Sequence, residues 1–266
     1  MALANSLAFL LYLCCSAALI RNFVQRDQQG SVLFPVSILT LVALIAHGAD
    51  IAFTMENAGG WDLSLFSTLE VATWLMAFIA FVLGSKVPKA HPGMVIYPIV
   101  ALSLVLKTSL PSEQTTVLSN PALEWHILLS LAAYSLFTLA ALQAIVLAIQ
   151  EQQLRHRHLA GIIRKLPPLQ SMETSLFQLI STGFIFLTIG LFTGFLFIED
   201  IFAQHLLHKT VLSIIAWCVF ATLLWGRRQY GWRGKTAIKW ILIGFSFLVL
   251  AYFGSKLVLE FIIAKA

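Results

Sequence analysis

Eight apolar runs alternate with short polar connections along the chain, at residues 3–20, 33–53, 65–84, 93–110, 125–150, 176–198, 209–226 and 238–260. Each approaches or exceeds the roughly 20 residues that a helix needs to cross the hydrocarbon core of a bilayer. Lipid offers no partner to free backbone N–H and C=O groups, so the runs predict helices rather than open strands. The fifth run is long and predicts a helix that projects beyond the bilayer. The expected fold is therefore all-α: a polytopic membrane helix bundle of about eight transmembrane helices, forming a single integral membrane domain over residues 1–266. The first run does not have the form of a signal peptide, because its positive charges, Arg21 and Arg26, follow it.

Composition strengthens this picture. Of the 266 residues, 59% are hydrophobic and 11% charged, against about 25% charged in soluble domains. A net charge of +5 raises the question of nucleic acid, but the basic residues stand in small groups between apolar runs. That distribution signals membrane topology, so membrane lipid is the expected partner and nucleic acid is not.

The same charges give an orientation. Connections after the first, third, fifth and seventh runs carry thirteen Lys and Arg, whereas the other side holds four, Lys107, Lys209, Lys256 and Lys265. By the positive-inside rule both termini belong on the outer face, the periplasmic side of a bacterial inner (cytoplasmic) membrane. The longest cytoplasmic connection, "EQQLRHRHLAGIIRKLPPLQSMETSLF", contains Pro167–Pro168, which ends any helix, and Ser171, an expected N-cap for the sixth span. Its basic first half reads as a solvated loop in preference to an amphipathic segment lying on the membrane.

Ionisable side chains inside spans are costly and call for an explanation. His47, in "LIAHGADIAF", lies about two turns short of the outer end of the second span, and His126 opens the fifth at the same face. Two histidines of similar depth on different helices match axial ligation of a haem iron, which takes one imidazole from each side. Asp50, one turn beyond His47, is placed to orient its ring. The competing readings are an interfacial residue for His126 and an interhelical hydrogen bond for His47. Below His126, Ser130 and Tyr134 fall on one helical face, as a ligand wall or an ordinary packing seam. Lys209 and Lys256 suit anionic groups such as haem propionates, or snorkel without a ligand. His205 and His208 have HxxH spacing but lack the further ligands that a metal site requires. Glu56 and Glu70 are expected at the interface, and Cys14, Cys15 and Cys218 as buried thiols with no CxxC pair. No nucleophile–base set, P-loop or dinucleotide fingerprint is present, so an enzyme is not expected.

Several stretches in order carry a resemblance. "WHILLSLAAYSLFTLAALQAIVLAIQEQQL", "LPPLQSMETSLFQLISTGFIFLTIGLFTGFLF", "HKTVLSIIAWCVFATLLWGRRQYGWRGKTAIKW" and the closing "LAYFGSK" together resemble the cytochrome c assembly protein family, and within it the HemX-like inner-membrane branch typified by YpjD. The resemblance implies membrane haem handling, with non-covalent haem b as cofactor and outer-face histidines as axial ligands. It matches His126 to the histidine opening the family's "HxxxxxxxY" helix, and compares His47 with a transmembrane histidine. It also implies Tyr134 and Ser130 as a wall of the haem pocket, with Lys256 and Lys209 then near the propionates, and another membrane or cytochrome-assembly protein as a partner. One departure stands out: the tryptophan-rich WWD segment of haem-delivering members is replaced by "FIEDIFAQHLLHK". "GWD" at 60–62 lies in a different loop. The alternatives are a divalent-cation transport or tolerance protein using Asp50 and Glu70, and a non-catalytic subunit that stabilises a partner.

Overall fold

The computed structural model describes residues 2–25, 33–86, 91–110, 117–118, 120–155, 165–197 and 204–254. Eight helices follow in chain order: α1 (Ala2–Gln25), α2 (Leu33–Ala58), α3 (Leu65–Lys86), α4 (Gly93–Ser109), α5 (Pro121–Arg155), α6 (Leu169–Phe197), α7 (Gln204–Tyr230) and α8 (Gly234–Val249). A π-helical turn, Leu250–Gly254, continues α8. All eight predicted runs are helical over their described residues, and seven helices are long and apolar enough to cross a membrane. The exception is α4, whose 17 residues extend about 25 Å. A single small strand pair joins the helices among the described residues, β1 (Trp61–Asp62) lying antiparallel to β2 (Val117–Leu118). Phe34, Ile45, Trp125 and Phe195 are among many large apolar side chains on the outside, as expected where lipid is the solvent.

The helices group into two compact units, the first comprising residues 1–119 and 160–167 and the second residues 120–159 and 168–266. In the first, α1 packs on α2 and α4, and α3 packs on α4 and α2. Ala8, Tyr12, Cys15 and Leu19 form the buried stripe of α1, at the spacing of one helical face. Pro98 sits inside α4, and a proline there leaves the carbonyl four residues earlier without its helical donor. That carbonyl belongs to Met94, and the Ser16 hydroxyl donates to it at 3.0 Å. A local defect on one helix thereby becomes a polar clamp onto another. The "GWD" stretch is structural: Asp62 accepts from the Ser64 N–H and from the Ser64 and Ser67 hydroxyls at the start of α3.

In the second unit the main pair is α5 with α6, and α7 and α8 complete it. Asn120 caps α5 by accepting from the Ala122 N–H, with Pro121 at the first helical position, where its missing donor costs nothing. Ala133, Ala140, Ala141 and Ala144 of α5 are buried, and Gly183, Gly190 and Gly194 of α6 meet α5 side chains directly. Small residues let the two backbones approach closely. The Phe137 and Phe220 rings stack 3.9 Å apart between α5 and α7.

The far end of this unit explains the "GWRG" stretch. Gly231 and Gly234 have φ of 65° and 52°, in the left-handed region that favours glycine. A Cβ on Gly226 would meet the Trp232 ring at 2.4 Å. Arg233 donates twice to Glu173, whose other oxygen accepts the Gly234 N–H. The turn between α7 and α8 is therefore bolted to the start of α6. Helix α6 begins at Leu169, directly after the two prolines, so Ser171 lies in its first turn and is not the expected N-cap; its N–H donates to the Pro168 carbonyl.

Candidate functional site

The first unit buries His47 completely. Its Nδ1 lies 3.5 Å from the Tyr12 hydroxyl, and its Nε2 lies 3.8 Å from Glu70 Oε1. The other oxygen of Glu70 is held by the Lys107 ammonium. Four helices thus contribute one polar group each: Tyr12 from α1, His47 from α2, Glu70 from α3 and Lys107 from α4. Two expectations change here. Glu70 is enclosed between helices rather than open at the membrane surface, its carboxyl 2% exposed, and Glu56 is exposed. Asp50 does not orient the imidazole. It makes no hydrogen bond to His47, and Tyr12 and Glu70 flank the ring instead. Gly48 admits Trp74, whose indole N–H donates to the Leu44 carbonyl.

The second unit holds His126 differently. Its Nδ1 is 3.1 Å from the Thr193 hydroxyl of α6, which itself donates to the Gly190 carbonyl. No hydrogen bond reaches Nε2 among the described residues. A Cβ on Gly194 would stand 2.8 Å from His126 Cε1, and one on Gly190 would stand 3.3 Å from Ser130 Oγ. The imidazole is therefore seated against α6 because two glycines leave room for it and for Ser130. The Ser130 hydroxyl donates back to the His126 carbonyl. One ring nitrogen hydrogen-bonded and the other without a partner is the arrangement found in metal-ligating histidines.

Tyr134 and Lys209 meet through a residue the sequence did not single out. The Tyr134 ring lies 5.7 Å from that of Tyr252, on the π-helical turn, and Lys209 Nζ lies 5.8 Å from the Tyr252 ring. Ser213, one turn along α7 from Lys209, neighbours Tyr134. π-helical turns recur at functional positions, and this one brings α5 and α7 groups together. His126, Ser130, Tyr134 and Lys209 therefore all belong to the second unit, and His47 to the first. Lys256 lies outside the described residues. His205 and His208 stand at the start of α7, and no metal-ligating cluster of three is found among the described residues. Of the cysteines Cys15 is buried, while Cys14 and Cys218 are exposed rather than buried as expected. Thr193, Gly190 and Gly194 were missed, although "GLFTG" carries the small-xxx-small spacing that marks close helix approach.

Long apolar helices with polar groups buried between them define a multi-pass helical membrane protein. The chain belongs to the cytochrome c assembly protein family, whose profile matches residues 3–263. It is 31% identical over 263 residues to the inner membrane protein YpjD of Escherichia coli K12, across 96% of this chain and 97% of that one. It is 22% identical to the cytochrome c biogenesis protein CcsA of Prochlorococcus marinus, across 94% and 88% of the two chains. With protein HemX of Brevibacillus brevis it shares 19% identity, across 72% and 73%. No solved structure matches it. The chain is a multi-pass protein of the inner membrane.

Proposed function

We propose that the protein is a non-catalytic haem-handling component of cytochrome c assembly, binding haem b at the His126 face of its second unit. The observation that carries this reading is the His126 ring itself, with Nδ1 engaged by Thr193 and Nε2 without a hydrogen bond among the described residues. Family membership supports the same role. Haem b, when bound, supplies an iron that accepts imidazole nitrogen. In this reading Thr193, itself held by the Gly190 carbonyl, fixes the ring and its tautomer, Ser130 and Tyr134 line the wall below it, and Lys209 provides a cation for propionates. Lys256, on the outer side by the charge distribution, joins it in that role. Both termini are placed on the outer face, by the distribution of basic residues.

His47 was the expected second ligand. Its Nε2 faces Glu70 and its Nδ1 faces Tyr12, so the geometry supports His126 for iron and a polar role for His47. The absence of tryptophan from the 198–208 interval favours binding or carriage of haem over presentation to a synthetase. Protein purified from haem-replete cells is expected to show a Soret band. A colourless preparation that also fails to take up added haem would overturn the reading.

A further inference from the structure

A file of polar side chains runs through the first unit. At one end His91, in the α3–α4 connection, accepts the Gly93 N–H and lies 6.0 Å, ring to ring, from Tyr97. Tyr97 neighbours Thr40 and lies 5.6 Å from Tyr12, and Tyr12 lies 5.9 Å from His47. His47 then faces Glu70, and Glu70 meets Lys107. The order follows the helices. Tyr97 opens α4 and Lys107 closes it, ten residues and about 15 Å apart. By the charge distribution the His91 end is cytoplasmic and the Lys107 end is outer.

The satisfaction of these groups is uneven. Four buried side-chain polar atoms of this file lack a hydrogen-bond partner among the described residues: Thr40 Oγ1, Tyr97 Oη, His47 Nε2 and Glu70 Oε1. All four residues are at most 2% exposed. Buried polar atoms without partners are costly, and persist where water or a transferable proton completes them. The other groups facing the file are few. Asp50 and Asp62 act electrostatically on Glu70, and Cys15 lies beside Tyr12, Tyr97 and Thr40.

We infer that the facing atoms His47 Nε2 and Glu70 Oε1 form an intramembrane proton-binding site, loaded from the His91 end through Tyr97, Thr40 and Tyr12. The transfer balances without any other reactant. The Tyr12 hydroxyl proton passes to His47 Nδ1, the Nε2 proton passes to Glu70 Oε1, and Tyr12 regains a proton from water held at Thr40 and Tyr97. The hydroxide so formed is neutralised by a proton entering from solvent at the His91 end, leaving His47 in its other neutral tautomer. One proton has then moved onto the Glu70 carboxylate. The Lys107 ammonium closes the outer end, because a fixed positive charge repels further protons. The file is thus a half-channel that delivers a proton and does not leak it. This site lies wholly within the first unit, and it goes beyond the haem reading without depending on it.

The test uses full-length, haem-free protein in liposomes, followed by infrared spectroscopy of the carboxyl C=O stretch. The wild type should show a carboxylic-acid band that titrates with buffer pH and disappears in Glu70→Gln. After a switch to deuterated buffer, Tyr97→Phe with Thr40→Val should slow the isotope shift of that band about tenfold, the rate cost of roughly one hydrogen bond. These two substitutions remove hydroxyls that have no partner, so the variant should unfold at the wild-type temperature, whatever the fate of Glu70→Gln. A band that survives Glu70→Gln, no such band at any pH, or unchanged exchange in the double variant would each overturn the proposal. Because haem is absent throughout, failure here leaves the haem reading standing.

Discussion

Glu70 and Glu173 are both buried carboxylates, 2% and 4% exposed, and they have opposite surroundings. Glu173, in the second unit, receives two N–H groups of Arg233 and the Gly234 amide. Each oxygen has a donor, and the result is a fixed turn. Glu70, in the first unit, has Lys107 on one oxygen and no donor on the other, which faces an equally unpartnered imidazole nitrogen. A carboxylate with donors on both oxygens holds structure together. One left half-engaged beside a histidine is equipped to take a proton.

The difference should appear first in stability. Lys107→Met strands the Glu70 carboxylate in a nearly dry interior and should cost about 3–5 kcal/mol, the range for breaking a buried pair. Adding Glu70→Leu should recover most of that loss. Denaturation in detergent or lipid measures both, and a single variant as stable as the wild type would show that the pair is not desolvated. Gly194→Ala comes next. Its new Cβ would stand 2.8 Å from His126 Cε1, so α5 and α6 must part, at about 1–3 kcal/mol. Glu173→Gln should cost less, about 1 kcal/mol, because Arg233 is 54% exposed and stays solvated when its partner is neutralised. If Glu173→Gln proves as damaging as Lys107→Met, the contrast between the two carboxylates is wrong.

The smallest effect is expected from pH. His91 lies outside the helices, and burial pushes its pKa from 6.5 down to about 4. Between those values the unfolded chain binds the extra proton and the folded chain does not. This contribution is therefore complete above about pH 6.5 and is lost as pH falls toward 4. His91→Asn, which keeps an acceptor for the Gly93 N–H, should flatten that slope. Melting temperatures of the two proteins across pH 4–7 give the comparison.

The helices were legible because the runs are long and lipid allows little else. Position along the chain was legible too: His47 and His126 stand on the second and fifth helices, as residue counting had them. What a helix faces was not. Glu70 stands six residues into its span, close enough to the end to pass for interfacial, and its partner Lys107 is 37 positions away. Asp50 was favoured for His47 by sequence proximity, whereas the ring meets Tyr12, 35 positions away. Thr193 reaches His126 across 67 residues, and no local pattern links the two. The "GWRG" stretch was recognisable as a family feature, while its reason, two left-handed glycines around an Arg233–Glu173 pair, needed the fold.

The assignment of iron to the second unit and protons to the first is the central claim, and paired variants test it directly. His126→Ala and His47→Ala would be purified from haem-replete cells, and their absorption spectra compared at equal protein concentration. The Soret band is expected to be lost in His126→Ala and retained in His47→Ala. Loss in both would return His47 to the iron, and retention in His126→Ala would contradict the account.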